Sequence, residues 1–169
     1  MKILVVVDMQ VDFITGSLGS EAAKAIVPNV VNKVKSFDGK VIFTRDTHGE
    51  NYMNTQEGRK LPVAHCIKNT EGWQICDELK PYVTEVIDKK TFGSVDLPQY
   101  IKSLEKSIDE IEICGLCTDI CVISNAMILK AAFPEVNIIV DSSCCAGVTS
   151  ESHNTALEAM KAVQIEIVK

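Results

Sequence analysis

Ile111-Glu112-Ile113-Cys114-Gly115-Leu116-Cys117-Thr118-Asp119-Ile120-Cys121 passes from an apolar run, through a glycine, into a stretch of helical character. Ile111–Gly115 reads as a buried strand. Thr118–Phe133, apolar on most sides, reads as a buried helix, and a second strand, Val136–Asp141, follows it. Two strands joined by a crossover helix make a right-handed βαβ unit with parallel strands. The alternation extends in both directions: Ile3–Asp8, Lys40–Thr44 and Val83–Asp88 are strands upstream, and Gln164–Val168 is one downstream. Such near-continuous Val/Ile runs suit strands covered on both faces. Glu21–Phe37 spaces Ala22, Ala25, Ile26, Val30 and Val34 helically, and Ser150–Val163 sets Ala156, Leu157, Met160 and Val163 on one face. The fold class is therefore α/β, a three-layer α/β/α sandwich. With no linker, repeat or low-complexity segment, residues 1–169 read as one domain.

The composition is that of a globular protein, 46% apolar and 24% charged. A net charge of −6 without a basic patch speaks against nucleic acid or an anionic membrane as partner. The N-terminal apolar run is short and meets Asp8, unlike a signal segment, and no stretch is long enough to span a membrane. The expectation is a cytoplasmic protein with its seven cysteines reduced, most of them packing residues.

In open parallel sheets, ligands bind beyond the carboxyl ends of the strands. Asp8, Asp46 and Lys89 lie at three such ends, and Cys121 follows a fourth. The first turn of a helix favours an anion, so Cys121 is expected to have a lowered thiol pKa and to act as a nucleophile. Asp8 is placed to take its proton, and Lys89 to hold Asp8 ionised and steady the thiolate. Taken singly, Cys121 reads first as a packing cysteine, Asp8 as a strand-end cap and Lys89 as a solvated charge. Arg45–Trp73 is too long and aperiodic for a simple connection, which favours function. It holds Asp46, His48 and His65, a donor set suited to Zn²⁺ or Fe²⁺. Cys114, Cys117 and Cys121 form C-x₂-C-x₃-C, which leaves a metal-binding or redox module as a competing reading. Cys144-Cys145 reads as packing, and His153 as solvent-exposed.

Asp8-Met9-Gln10-Val11-Asp12-Phe13 resembles the opening motif of the isochorismatase-like cysteine hydrolases, which include the nicotinamidases. The resemblance continues in Thr44-Arg45-Asp46-Thr47-His48, Pro62-Val63-Ala64-His65-Cys66 and Lys89-Lys90-Thr91-Phe92-Gly93-Ser94. It is strongest in Gly115–Val122 and ends in Asp141–Ala146, so it spans nearly the whole chain in order. It implies a six-stranded parallel sheet in the Rossmann-like order 3-2-1-4-5-6 and an Asp8–Lys89–Cys121 triad, with Lys89 rather than Lys90 set three residues before Phe92. It also implies a cis peptide at Leu116–Cys117 and an oxyanion hole from the N–H groups of Cys117 and Cys121. Phe13, Leu61 and Leu116 become substrate-facing positions, and Glu57 joins Asp46, His48 and His65 around a divalent metal, zinc first, with iron or manganese as alternatives. The implied activity is amide hydrolysis through a thioester, nicotinamide leading other small amides and carbamoyl compounds, in a homo-oligomer. One departure is visible: Leu61 stands where nicotinamidases carry a stacking aromatic before the proline. Trp73 and Tyr52 are the candidates to supply that wall.

Overall fold

The computed structural model describes residues 1–104 and 106–169. In chain order the elements are β1 (Lys2–Val7), α1 (Val11–Ile14), α2 (Glu21–Ser36), β2 (Lys40–Asp46), α3 (Gln56–Lys60), β3 (Val86–Lys89), α4 (Asp96–Ser103), β4 (Glu110–Leu116), α5 (Ile123–Ala132), β5 (Asn137–Ala146), α6 (Ser150–Ala162) and β6 (Glu166–Val168). The six strands form one parallel sheet in the order β3-β2-β1-β4-β5-β6, as the family resemblance implies. Helices flank it. α2 packs on β4 and β5, α5 and α6 pack on β5 and on each other, and α4 lies against β3 and α5. β1 is the apolar centre, with Ile3–Val7 fully buried. The strand order reverses between β1 and β4, so a crevice opens beyond their carboxyl ends. Among the described residues, no helix is long and apolar enough to cross a membrane.

Several boundaries differ from the sequence reading, for physical reasons. β5 runs past Asp141 to Ala146 because a bulge lets it re-pair: Ile113 faces Val140, yet Gly115 already faces Cys145. Its polar Asp141-Ser142-Ser143 stretch hides that continuation from a hydrophobicity pattern. The buried stripe of α2 is Ala23, Ile26, Val27, Val30 and Val34, while Ala22 and Ala25 face outward. Val163, expected inside, is exposed past the end of α6. α4 went unread, its apolar positions being too few for a clear period. Thr118–Phe133 does not start as a regular helix: Thr118–Val122 is a π-helical turn that leads into α5.

Candidate active site

The carboxyl ends of β1, β2 and β3 bring Asp8, Asp46 and Lys89 together, and the turn after β4 adds Cys121. Asp8 is fully buried at a positive φ of 48°, and its Oδ1 accepts a hydrogen bond from the Thr44 hydroxyl at 2.8 Å. The Lys89 ammonium is an ion-pair partner of Asp8 Oδ2 at 2.6 Å, although it does not approach along a hydrogen-bonding direction. Lys89 also donates to Asp46 Oδ1 (3.1 Å), to the Thr91 carbonyl (3.0 Å) and to Cys121 Sγ (3.5 Å). Lys90, its neighbour, points to solvent. A buried ammonium among two carboxylates and a thiol is balanced only as a set, since losing one member leaves an uncompensated charge.

Protonation in this cluster differs from the simple helix-start expectation. Burial pushes the Cys121 thiol well above the ordinary range, and the Asp8 charge adds to the rise; Lys89 opposes both without prevailing. Desolvation outweighs the dipole, and a π-helical turn aligns its N–H groups less regularly than an α-helix would. Burial also raises the Asp8 carboxyl against the pull of Lys89. Lys89 itself is pushed down by burial but held protonated by Asp8, Cys121 and Asp46. Asp8 and Cys121 both face the Lys89 ammonium, an arrangement suited to moving a proton between sulfur and carboxylate.

Cys121 opens into a cavity of about 460 Å³. The peptide before Cys117 is cis, and Leu116, Cys117 and Ile120 line the wall beside the thiol. Phe13, Leu18, Leu61, Phe92 and Val148 line the rest, so Phe13, Leu61 and Leu116 all reach the cavity. The second aromatic wall is Phe92. Trp73 lies elsewhere, with Arg45 stacked on its ring and its Nε1 donating to Thr47. Tyr52 packs on His48 and His65 and donates its hydroxyl to the Leu61 carbonyl. A separate open groove along α2 carries Lys24, Lys35 and Glu78 but none of these chemistry-bearing residues.

At its polar end the cavity meets Asp46, Glu57 and His65. Together with His48, these residues offer four ligand atoms all within 4.8 Å of one another. Among the described residues they are the one such group, so Cys114, Cys117 and Cys121 do not converge as ligands. All seven cysteines are free thiols. His48 Nε2 is buried without a hydrogen-bond partner, though 2.9 Å from Asp46 Oδ2, as suits a nitrogen that offers its lone pair to a cation. His65 Nδ1 meets the Val63 carbonyl at 2.8 Å, which turns Nε2 inward as a ligand nitrogen. Burial raises the Asp46 carboxyl, but the close His48 and His65 rings and the Lys89 ammonium outweigh it and hold the carboxyl below its usual range. The four donors, with the Val63 carbonyl that orients His65, fit a divalent cation of the zinc type.

Glu57 sits in the first turn of α3, whose start is capped by Thr55 accepting from Gly58 N–H at 3.0 Å. A Cβ on Gly58 would strike the Tyr52 carbonyl, so a glycine permits α3 to pack this closely and set Glu57 opposite His48. The supporting residues were missed in the sequence. Gln10 accepts from Asp46 N–H (2.7 Å) and donates to the Asp46 and Trp73 carbonyls (2.9 Å each). Asp12 accepts from Cys66 N–H at 2.7 Å and anchors the His65 segment. Asn125 donates to the Cys121 carbonyl (2.8 Å) and accepts from Ser94 N–H (2.9 Å). The available signal was an amide or acid set within an apolar pattern. His153, read as exposed, is half-buried, and its Nδ1 lies 2.7 Å from Thr118 Oγ1.

Comparison with known proteins gives a consistent picture. The family model "Isochorismatase domain" matches residues 2–169. An uncharacterized isochorismatase family protein, PncA of Bacillus subtilis, is 31% identical with 92% of each chain covered. The nicotinamidase of Saccharomyces cerevisiae is 25% identical, with 99% of each chain covered. The structure of a Pyrococcus horikoshii pyrazinamidase in complex with zinc superposes with a TM-score of 0.83 at 27% identity, covering 99% of this chain and 98% of that one.

Proposed function

The chain belongs to the isochorismatase family, and on that premise we propose that it is a cysteine-dependent hydrolase of small amides, with nicotinamide as leading substrate and nicotinate and ammonia as products. One observation carries the reading: a buried Asp8–Lys89–Cys121 cluster stands at the wall of an apolar cavity that ends in a four-residue ligand set. The nicotinamidases and pyrazinamidases among its relatives support the substrate class.

With an amide in the cavity, Asp8 takes the Cys121 proton as sulfur bonds to the carbonyl carbon. The N–H groups of Cys117 and Cys121 receive the developing oxyanion. Asp8 returns the proton to nitrogen, the C–N bond breaks, and ammonia leaves a thioester. Asp8 then deprotonates a water that attacks the thioester carbon. The C–S bond breaks, Asp8 returns its proton to sulfur, and the acid departs as a carboxylate, its remaining proton passing to the released ammonia or to solvent. Lys89 stays protonated throughout and stabilises the anionic form of whichever partner has lost the proton. Asp46, His48, Glu57 and His65 would hold a divalent metal, zinc with iron or manganese as alternatives, supplying a Lewis acid for a substrate ring nitrogen or an ordered water.

A second reading within the same chemistry, another small amide or carbamoyl compound, is favoured by Leu61 and by the apolar mouth that Phe92 and Val148 give the cavity. An ammonia-release screen headed by nicotinamide tests both. Release is expected from at least one amide and is abolished by Cys121→Ala. No release from a broad amide panel, with metal supplied, would sink the amidase reading and return the site to a non-hydrolytic metal-binding role.

A further inference from the structure

The turn that presents Cys121 is anchored from outside the cavity. Thr118 and Asp119, its first residues, both reach across to the segment that opens α6. The fully buried Thr118 hydroxyl meets His153 Nδ1 at 2.7 Å, and the Asp119 carboxylate oxygens accept from Val148 N–H at 3.1 and 3.3 Å. A Cβ on Gly147 would fall 2.8 Å from His153 Cβ, so a glycine lets the chain pass directly against His153. His153 lies in the first turn of α6, where a Thr149–Ser152 capping box holds the helix start. Burial pushes the imidazole pKa down, against Asp119, which favours a neutral ring. Thr118–Val122 is a π-helical turn, without the regular ladder of an α-helix to stiffen it. Such a turn gains its definition from outside contacts.

We propose that His153 is a positioning residue for the nucleophile: by holding the Thr118 hydroxyl it keeps the Cys117–Cys121 backbone in register with Asp8 and Lys89. This rests on the reading of Cys121 as nucleophile. His153 itself does not line the cavity, so no substrate-facing side chain is lost with it. Misplacement of a reacting group by a fraction of an ångström to an ångström is enough to slow chemistry strongly without changing ground-state binding.

The test uses the full chain with zinc supplied, nicotinamide as amide probe, and iodoacetamide labelling of Cys121 followed by peptide mass spectrometry. His153→Ala is expected to lower kcat by about tenfold or more while KM stays within about twofold, and to slow Cys121 labelling. His153→Asn, whose amide reaches the Nδ1 position, restores most of both rates. Thr118→Ser stays near wild type, Thr118→Val behaves like His153→Ala, and the double variant is no slower than either single one. An Asn variant as slow as the Ala variant, singles that multiply in the double variant, or an unchanged labelling rate would each overturn the proposal. Absence of turnover in the wild-type chain overturns the amidase reading instead, and the labelling comparison still decides the role of His153.

Discussion

A thiol raised as far as that of Cys121 is a poor nucleophile unless a neighbouring base accepts its proton in the act of bond formation. Asp8 is the carboxylate beside it, fully buried and therefore poorly solvated as an anion. Asp8→Asn keeps the shape and the Thr44 contact but cannot accept a proton. The expected outcome is a fall of about 10²–10⁴-fold in kcat together with slower iodoacetamide labelling of Cys121, read on the same preparation. Equal labelling rates for variant and wild type would show that Asp8 does not serve the thiol. Cys121 and Asp8 were nameable from their strand-end positions. Their raised pKa values were not, because desolvation depends on what the rest of the chain packs around them.

Between the elements, Lys33 of α2 pins the bulged pair of β4 and β5. It bonds to Glu112 of β4 and lies 2.7 Å from Asp141 of β5, where the register shift begins. Burial raises the Asp141 carboxyl, but the hydrogen bond from Lys33 and those from Ser143 outweigh it and leave the value below 3.8. The Lys33 ammonium is pushed down by burial but raised above its ordinary 10.5 by Asp141 and Glu112. The carboxylate contribution to stability is therefore present above 3.8 and lost as pH falls through the depressed native value. The ammonium contribution is present below 10.5 and lost as pH rises through the elevated native value. Lys33→Met is expected to cost about 2–4 kcal/mol in urea unfolding at about pH 7, and that gap should narrow at about pH 2.5 as Asp141 protonates. An equal gap at both pH values would contradict the assignment.

Over the whole molecule, the ligand set joins the end of β2 to α3 and to the His65 segment, parts of one long connection with little regular structure of its own. Metal held by the native state and not by the unfolded chain stabilises by mass action. Zinc at about a hundredfold excess over its dissociation constant is expected to raise the melting temperature by about 5–10 °C. His48→Ala is expected to remove most of that rise, and a chelator to reverse it in the wild-type chain. A melting temperature indifferent to zinc and chelator alike would remove the metal from the reading.

Local pattern carried the strands at the sheet centre, the α/β class and the polar residues at strand ends, because side-chain alternation and apolar runs are properties of neighbouring residues. The ordered motifs added the sheet order and named Glu57, which no spacing in the chain singles out. Only tertiary structure decided the rest: the Asp141–Ala146 continuation of β5, Phe92 rather than Trp73 or Tyr52 on the cavity wall, and the amide and acid supports Gln10, Asp12 and Asn125. It also decided that the Cys121 thiol is raised and that His153 meets Thr118 in the turn that carries Cys121. These are matters of burial and of contacts between residues far apart in the chain, and desolvation and packing have no counterpart in a local sequence pattern.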